Sequence, residues 1–195
     1  MQFYGEGRVT RLFFRRLALQ RLAALGCLAG LAACSPHYDW RVVQSSEGAY
    51  SITYPAKPSS EAREVHLSTG VLPMHMQAAR VDQALFAVGV IKLPSADVAL
   101  RTRVMADLQK GLLANLGAAQ SQVQTVQIRV ASQSPPFVTG TGVYAQGHGV
   151  DGKEQRFVDA RFVAYGDRVY QVVVLGEKAP PQEQIEQFFD SFTLE

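Results

Sequence analysis

Cysteine is scarce in this chain: Cys27 and Cys34 are the only two among 195 residues. Beyond Cys34 no thiol remains. A disulfide framework, a thiolate nucleophile and a paired-cysteine zinc site are therefore excluded for the rest of the sequence. Long apolar runs are missing too. The longest, "LAALGCLAGLAA" from Leu22 to Ala33, has 12 residues, against the roughly 20 that a membrane-spanning helix needs. Several catalytic signatures are also lacking. There is no H-E-x-x-H, no G-x-S-x-G and no serine with a lysine three positions later, so the usual zinc-protease and serine-hydrolase patterns have no foothold.

The first 34 residues have a character of their own. Arg8, Arg11, Arg15, Arg16 and Arg21 precede the short apolar run, which ends in Leu31-Ala32-Ala33-Cys34. A basic head and a short apolar middle read as an export signal that is removed. The tetrapeptide resembles the lipobox of bacterial lipoprotein signal peptides: an aliphatic residue, two small residues and the cysteine. That resemblance implies cleavage before Cys34 and acylation of its sulfur and amine. Each buried CH2 contributes about 0.8 kcal/mol, so several acyl chains hold a protein stably on a membrane. Residues 1–33 are thus expected to be signal peptide, residues 34–39 a lipidated tether, and residues 40–195 one α+β domain. Ser35, standing where an aspartate would mark inner-membrane retention, points to the outer membrane of the cell envelope, with the domain facing the periplasm.

Without residues 1–33 the charge changes sign. Lysine plus arginine falls from 19 to 14 and aspartate plus glutamate from 17 to 16, giving a net −2. No basic stripe remains to favour nucleic acid.

Alternation predicts strands at Arg41–Gln44, Ala49–Tyr54, Arg63–Leu67, Leu72–Arg80 and Leu85–Leu93. Further strands are expected at Val123–Val130, Phe137–Gln146, Gln155–Tyr165 and Arg168–Leu175. Between the two groups, Met105, Leu108, Leu112 and Leu116 recur at three and four residues, which predicts a long helix over 96–116. A short helix is expected after Pro180-Pro181, with Ile185, Phe188 and Phe189 on its apolar side. Short connections imply a mainly antiparallel sheet.

The stretch "GHGVDGKE", residues 147–154, satisfies both G-x-G-x-x-G and G-x-x-x-x-G-K. A phosphate site needs such glycines between a strand and a helix N-terminus. Here "QRFVDARFVAY" follows, whose alternation is that of a strand, and Glu154 stands where Ser or Thr would ligate magnesium. The stretch is read as a hairpin tip built on Asp151-Gly152, and no nucleotide is expected.

The remaining candidates are weaker. His66 and "MHM", Met74–Met76, offer soft metal ligands, but on a strand Met74 and Met76 face away from His75. Carboxylate pairs drawn from Asp82, Glu154, Asp159 and Asp167 have no selecting spacing. Tyr54, Tyr144, Tyr165 and Tyr170, with Trp40, Met74 and Met76, are the residues expected to line a ligand groove on the sheet.

"GAYSITYPAKPSS" at 48–60 and "PPQEQIEQFFDSFTL" at 180–194 resemble the opening strand and closing helix of the PsbP-like superfamily. That resemblance covers about residues 40–195. It implies an α-β-α sandwich with a long central helix, and binding or assembly rather than catalysis. The expected function is a non-enzymatic, lipid-anchored envelope protein, without cofactor, that binds another envelope protein. The alternative is a carrier of a small ligand or metal.

Overall fold

Four residues, Pro55 to Pro58, join strands that lie near opposite edges of one ten-stranded sheet. In chain order the strands are β1 (Arg41–Ser45), β2 (Tyr50–Tyr54), β3 (Ser59–Leu67), β4 (Gly70–Val81), β5 (Ala84–Lys92), β6 (Ser121–Val130), β7 (Phe137–Gly147), β8 (Arg156–Tyr165), β9 (Arg168–Gly176) and β10 (Thr193–Leu194). Helix α1 (Val98–Leu116) follows β5, and helix α2 (Gln182–Asp190) precedes β10. The structure is a computed structural model that describes residues 37–118, 120–149, 152 and 154–195. Residues 38–195 form one unit. The expected signal peptide, Cys34 and the start of the expected tether lie outside the described residues.

The strand order is β1-β2-β10-β6-β7-β8-β9-β5-β4-β3. All pairs are antiparallel except β10 with β6. In a flat sheet the end of β2 would stand some 38 Å from the start of β3, at about 4.8 Å per strand. The connecting residues reach at most about 18 Å. The sheet must curl, and it does. Tyr54 Oη donates to the Gln77 carbonyl (3.0 Å), and Tyr50 Oη donates to Gln77 Oε1 (2.8 Å), so β2 reaches β4 across the concave side.

Two cores lie on the two sides of this curl. The inner core holds Tyr50, Ile52 and Tyr54 of β2, Phe86 and Val88 of β5, Val172 and Val174 of β9, and Phe188 of α2. The outer core holds Ala87 and Ile91 of β5, Ala160 and Phe162 of β8, Val173 of β9, and Val104 and Leu108 of α1. Strands β5 and β9 feed both cores with alternate residues, so Ala84–Ile91 and Val172–Leu175 are continuous apolar runs.

The expected α+β domain, an α-β-α sandwich with a long central helix, is therefore corrected to a mostly β one. Strands take 53% of the described residues, arranged as ten strands in a curled half-barrel sheet, with two helices as additions to it. Neither helix is a central layer. Helix α2 has nine residues and sits inside the curl as a plug. Its Phe188 ring lies between Tyr54 (5.6 Å) and Phe86 (5.2 Å), which face each other across the concavity. Helix α1 lies outside, packed on β8, β9 and β7.

Candidate functional site

Helix α1 is held by both of its ends and by its middle. Asp97 caps the start, its carboxylate accepting from the Leu100 N–H (2.7 Å), which satisfies one of the orphan donors of the first turn. Gly117 ends the helix in a left-handed conformation (φ 63°), with its N–H on the Ala114 carbonyl (3.0 Å) and the Ala118 N–H on the Leu113 carbonyl (3.2 Å). Glycine is the residue that adopts this angle without a Cβ penalty. Midway along, Asp107 Oδ2 accepts from both the backbone N–H (2.8 Å) and the Oγ (2.6 Å) of Ser68 in the β3–β4 turn. Those two donors hold the Asp107 carboxyl below its ordinary range.

This anchoring pulls the β3–β4 turn against the helix while the helix body stays over β7 to β9. Between them a groove of about 470 Å³ remains. Met74, Met76, Ala87, Gly89 and Val173 form its floor, and Leu108, Gly111 and Leu112 form its roof. Arg63, Asp107, Asn115 and Gln171 contribute polar groups to its lining; Glu64 and His66 border it on β3, but the register turns their side chains to the opposite face of the sheet. The volume lies within the roughly 300–1,000 Å³ of small-molecule sites. Gly89 shapes the floor: a Cβ there would stand 2.9 Å from Met74 Sδ, so the thioether lies over bare backbone.

The seven expected groove residues do not meet in one place. Met74 and Met76 line the groove under α1. Tyr54 and Tyr170 are fully buried in the inner core, where the Tyr170 hydroxyl donates to the Gly48 carbonyl (2.9 Å). Burial pushes the Tyr54 hydroxyl well above its ordinary pKa and that of Tyr170 up to about 12. Tyr165 packs against the inner core from its edge, as does Trp40. Tyr144 is exposed beside Gln122 and Gln146.

A second cleft, about 350 Å³, opens at the seam of the curl between the β1–β2 turn and β3 to β5. It contains Glu47, His75, Lys92 and Arg168. His75 Nδ1 is 3.6 Å from Glu47 Oε1. It faces inward from β4 while its neighbours Met74 and Met76 face outward, so the three do not converge. His66 pairs with Val71, three positions along β3 from Arg63, the partner of Met74. An odd offset of three turns His66 to the opposite face of the sheet from Met74, so the two cannot share an ion. Among the described residues no three His, Cys, Asp or Glu side chains gather as a metal site. Of the carboxylates, Asp159 is half-buried on the inner face of β8 and its pKa is raised by that burial, against the lowering effect of Arg161. Asp167 lies in the β8–β9 turn and pairs with Arg168 (2.7 Å).

The glycine-rich stretch joins two strands, since β7 ends at Gly147 and β8 begins at Arg156, with those two residues in register. Asp151 and Lys153 lie outside the described residues; Gly152 has a φ of 66°. The neighbouring helix end is the carboxyl end of α1. The Gly149 N–H donates to the Leu116 carbonyl (3.0 Å), and a Cβ on Gly147 would stand 2.1 Å from that oxygen. Gly147 is needed for this close approach. A helix C-terminus carries partial negative charge, the wrong pole for phosphate.

Sequence reasoning missed the Ser68–Asp107 tie and Gly111. The first joins residues 39 apart, and the second reads in sequence only as a weak helix position. No family model matches the chain, and no curated protein matches it. The PsbP-like resemblance rests on its two quoted segments, and these segments touch. Leu194 pairs with Tyr50, and Ser191 Oγ accepts from the Thr53 N–H (2.9 Å).

Proposed function

We propose that this protein is a lipid-anchored, non-enzymatic binding module of the bacterial cell envelope. Cys34 tethers it to a membrane, the outer membrane in the reading from Ser35, and the domain faces the periplasm. The observation that carries the anchoring is the ordered sequence of five arginines, a 12-residue apolar run and Leu-Ala-Ala-Cys. No helix among the described residues is long and apolar enough to cross a membrane. In this reading the acyl chains on Cys34 supply the attachment. The domain then binds a second envelope protein and supports its assembly or stability.

A second reading, a small-ligand carrier, is favoured by one specific feature: the groove beneath α1, where Met74 and Met76 line open space. Methionine side chains adapt their shape to different apolar partners, which suits a carrier.

The test begins with Cys34→Ala. This variant is expected in the soluble fraction of lysed cells while the parent sediments with membranes; a variant that stays with the membranes refutes the anchor. Cross-linking in intact cells and mass spectrometry of the detergent-purified protein then separate the two readings. A stoichiometric protein partner supports the assembly module, and a retained small molecule supports the carrier.

A further inference from the structure

The groove beneath α1 combines three features. Its floor carries two thioethers and its roof two leucines, so its middle is apolar. One side is tied shut where Ser68 binds Asp107, which gives it the form of a slot with a defined wall. Gly111 sits in the middle of α1, where glycine costs a helix about 1 kcal/mol relative to alanine. Close packing does not account for it, because a Cβ added there meets nothing within 4 Å. Its effect is to leave the roof hollow.

The polar lining carries charges of both signs. Arg63 is paired with Glu61, Asp107 is engaged by Ser68, and Glu64 and His66 turn to the other face of β3. In the groove an anionic head would meet Asp107, and a cationic head would meet Arg63. A head that is uncharged and hydrogen-bonding avoids both conflicts, and Asn115 and Gln171 offer it amide donors and acceptors.

We propose that this groove binds single-chain amphiphiles with an uncharged head, such as monoacylglycerols, the chain lying on Met74 and Met76 beneath Leu108 and Leu112. The proposal rests on the carrier reading and deepens it.

The chain from Tyr38 onward contains every described strand and helix and both cores, so it is the form to titrate. Calorimetry with monododecanoylglycerol, below its aggregation concentration, is expected to show saturable 1:1 binding. Dodecanoate and dodecyltrimethylammonium are expected to bind at least tenfold more weakly. Gly111→Leu adds bulk to the roof at a position where a Cβ meets nothing within 4 Å, and Leu112→Glu places a charge in it. Each is expected to weaken binding tenfold or more with an unchanged circular dichroism spectrum. Val123→Leu, at an exposed position on β6, is the control and binds as the parent does. Equal or tighter binding of dodecanoate overturns the head-group assignment. Unchanged binding by both groove variants overturns the groove. If no amphiphile binds while a different small molecule is retained from cells, this proposal fails and the carrier reading survives. If neither is found, both fail.

Discussion

Tyr54 donates its hydroxyl to the backbone carbonyl of Gln77 across 3.0 Å, although their strands stand seven places apart in the sheet. Only a curled sheet allows that contact, and Tyr50 repeats it on the Gln77 side chain. Tyr170 makes a similar tie from β9 to Gly48 in the β1–β2 turn. The concave side is thus closed by three tyrosines whose rings fill the inner core and whose hydroxyls end on polar groups of the facing wall.

Removing one hydroxyl tests the strength of this closure. Tyr54→Phe and Tyr170→Phe keep the ring and lose one buried hydrogen bond, leaving a carbonyl acceptor short of a donor. Each is expected to lower unfolding free energy by about 1–2 kcal/mol in urea denaturation, without change in the far-UV spectrum. A loss below about 0.3 kcal/mol for both would mean that the rings alone close the curl.

The same hydroxyls set an alkaline limit. Their folded pKa values lie above the unfolded value of about 10, at about 12 for Tyr170 and higher for Tyr54. Below pH 10 both states hold the proton and the contribution is complete. As pH rises past 10 the unfolded chain ionises while the folded one does not. Stability therefore falls, by up to about 1.4 kcal/mol per pH unit for each such tyrosine, until the folded pKa is passed. Urea midpoints measured from pH 8 to 11 should fall above pH 10, and more shallowly in Tyr170→Phe.

Helix α2 acts as the plug of the concave face, and Phe188 is its central residue. Phe188→Ala opens a cavity between Tyr54 and Phe86 and is expected to cost about 3–5 kcal/mol. Phe137→Ala, at a ring 43% exposed on β7, should cost under about 1 kcal/mol. Similar losses at the two sites would deny α2 its plugging role.

Much of the local structure was legible because its cause is local. Tyr50, Ile52 and Tyr54 alternate with polar residues and form a strand; Met105, Leu108 and Leu112 recur at helical spacing and form α1. The curl was not legible, because it depends on pairings between distant segments. β5 pairs with β9, and two residues of β10 bridge β2 to β6, a strand too short to show any period. The same limit shaped the candidate site. Met74 and Met76 were legible as neighbours on one face, but Tyr54 and Tyr170 reach the opposite side of the sheet, as β5 and β9 supply residues to both.

Gly147 separates the structural role of the glycine-rich stretch from a nucleotide-binding one. Gly147→Ala would drive a methyl group into the Leu116 carbonyl at 2.1 Å, backbone against backbone. A loss of about 1–3 kcal/mol is expected. Gly152→Ala, with open space but a φ of 66°, should cost about 1–2 kcal/mol from the left-handed angle alone. ATP at millimolar concentration should leave the melting temperature of the parent unchanged; a rise would return the stretch to the phosphate-binding class.

Gly111 offers the opposite sign. Alanine there gains helix propensity and meets no neighbour, so Gly111→Ala is expected to raise unfolding free energy by about 0.5–1 kcal/mol. Glycine at this position lowers the stability of α1 and leaves the groove roof open. If alanine instead destabilises the protein, the roof is already filled at Gly111, and the hollow on which ligand entry depends does not exist.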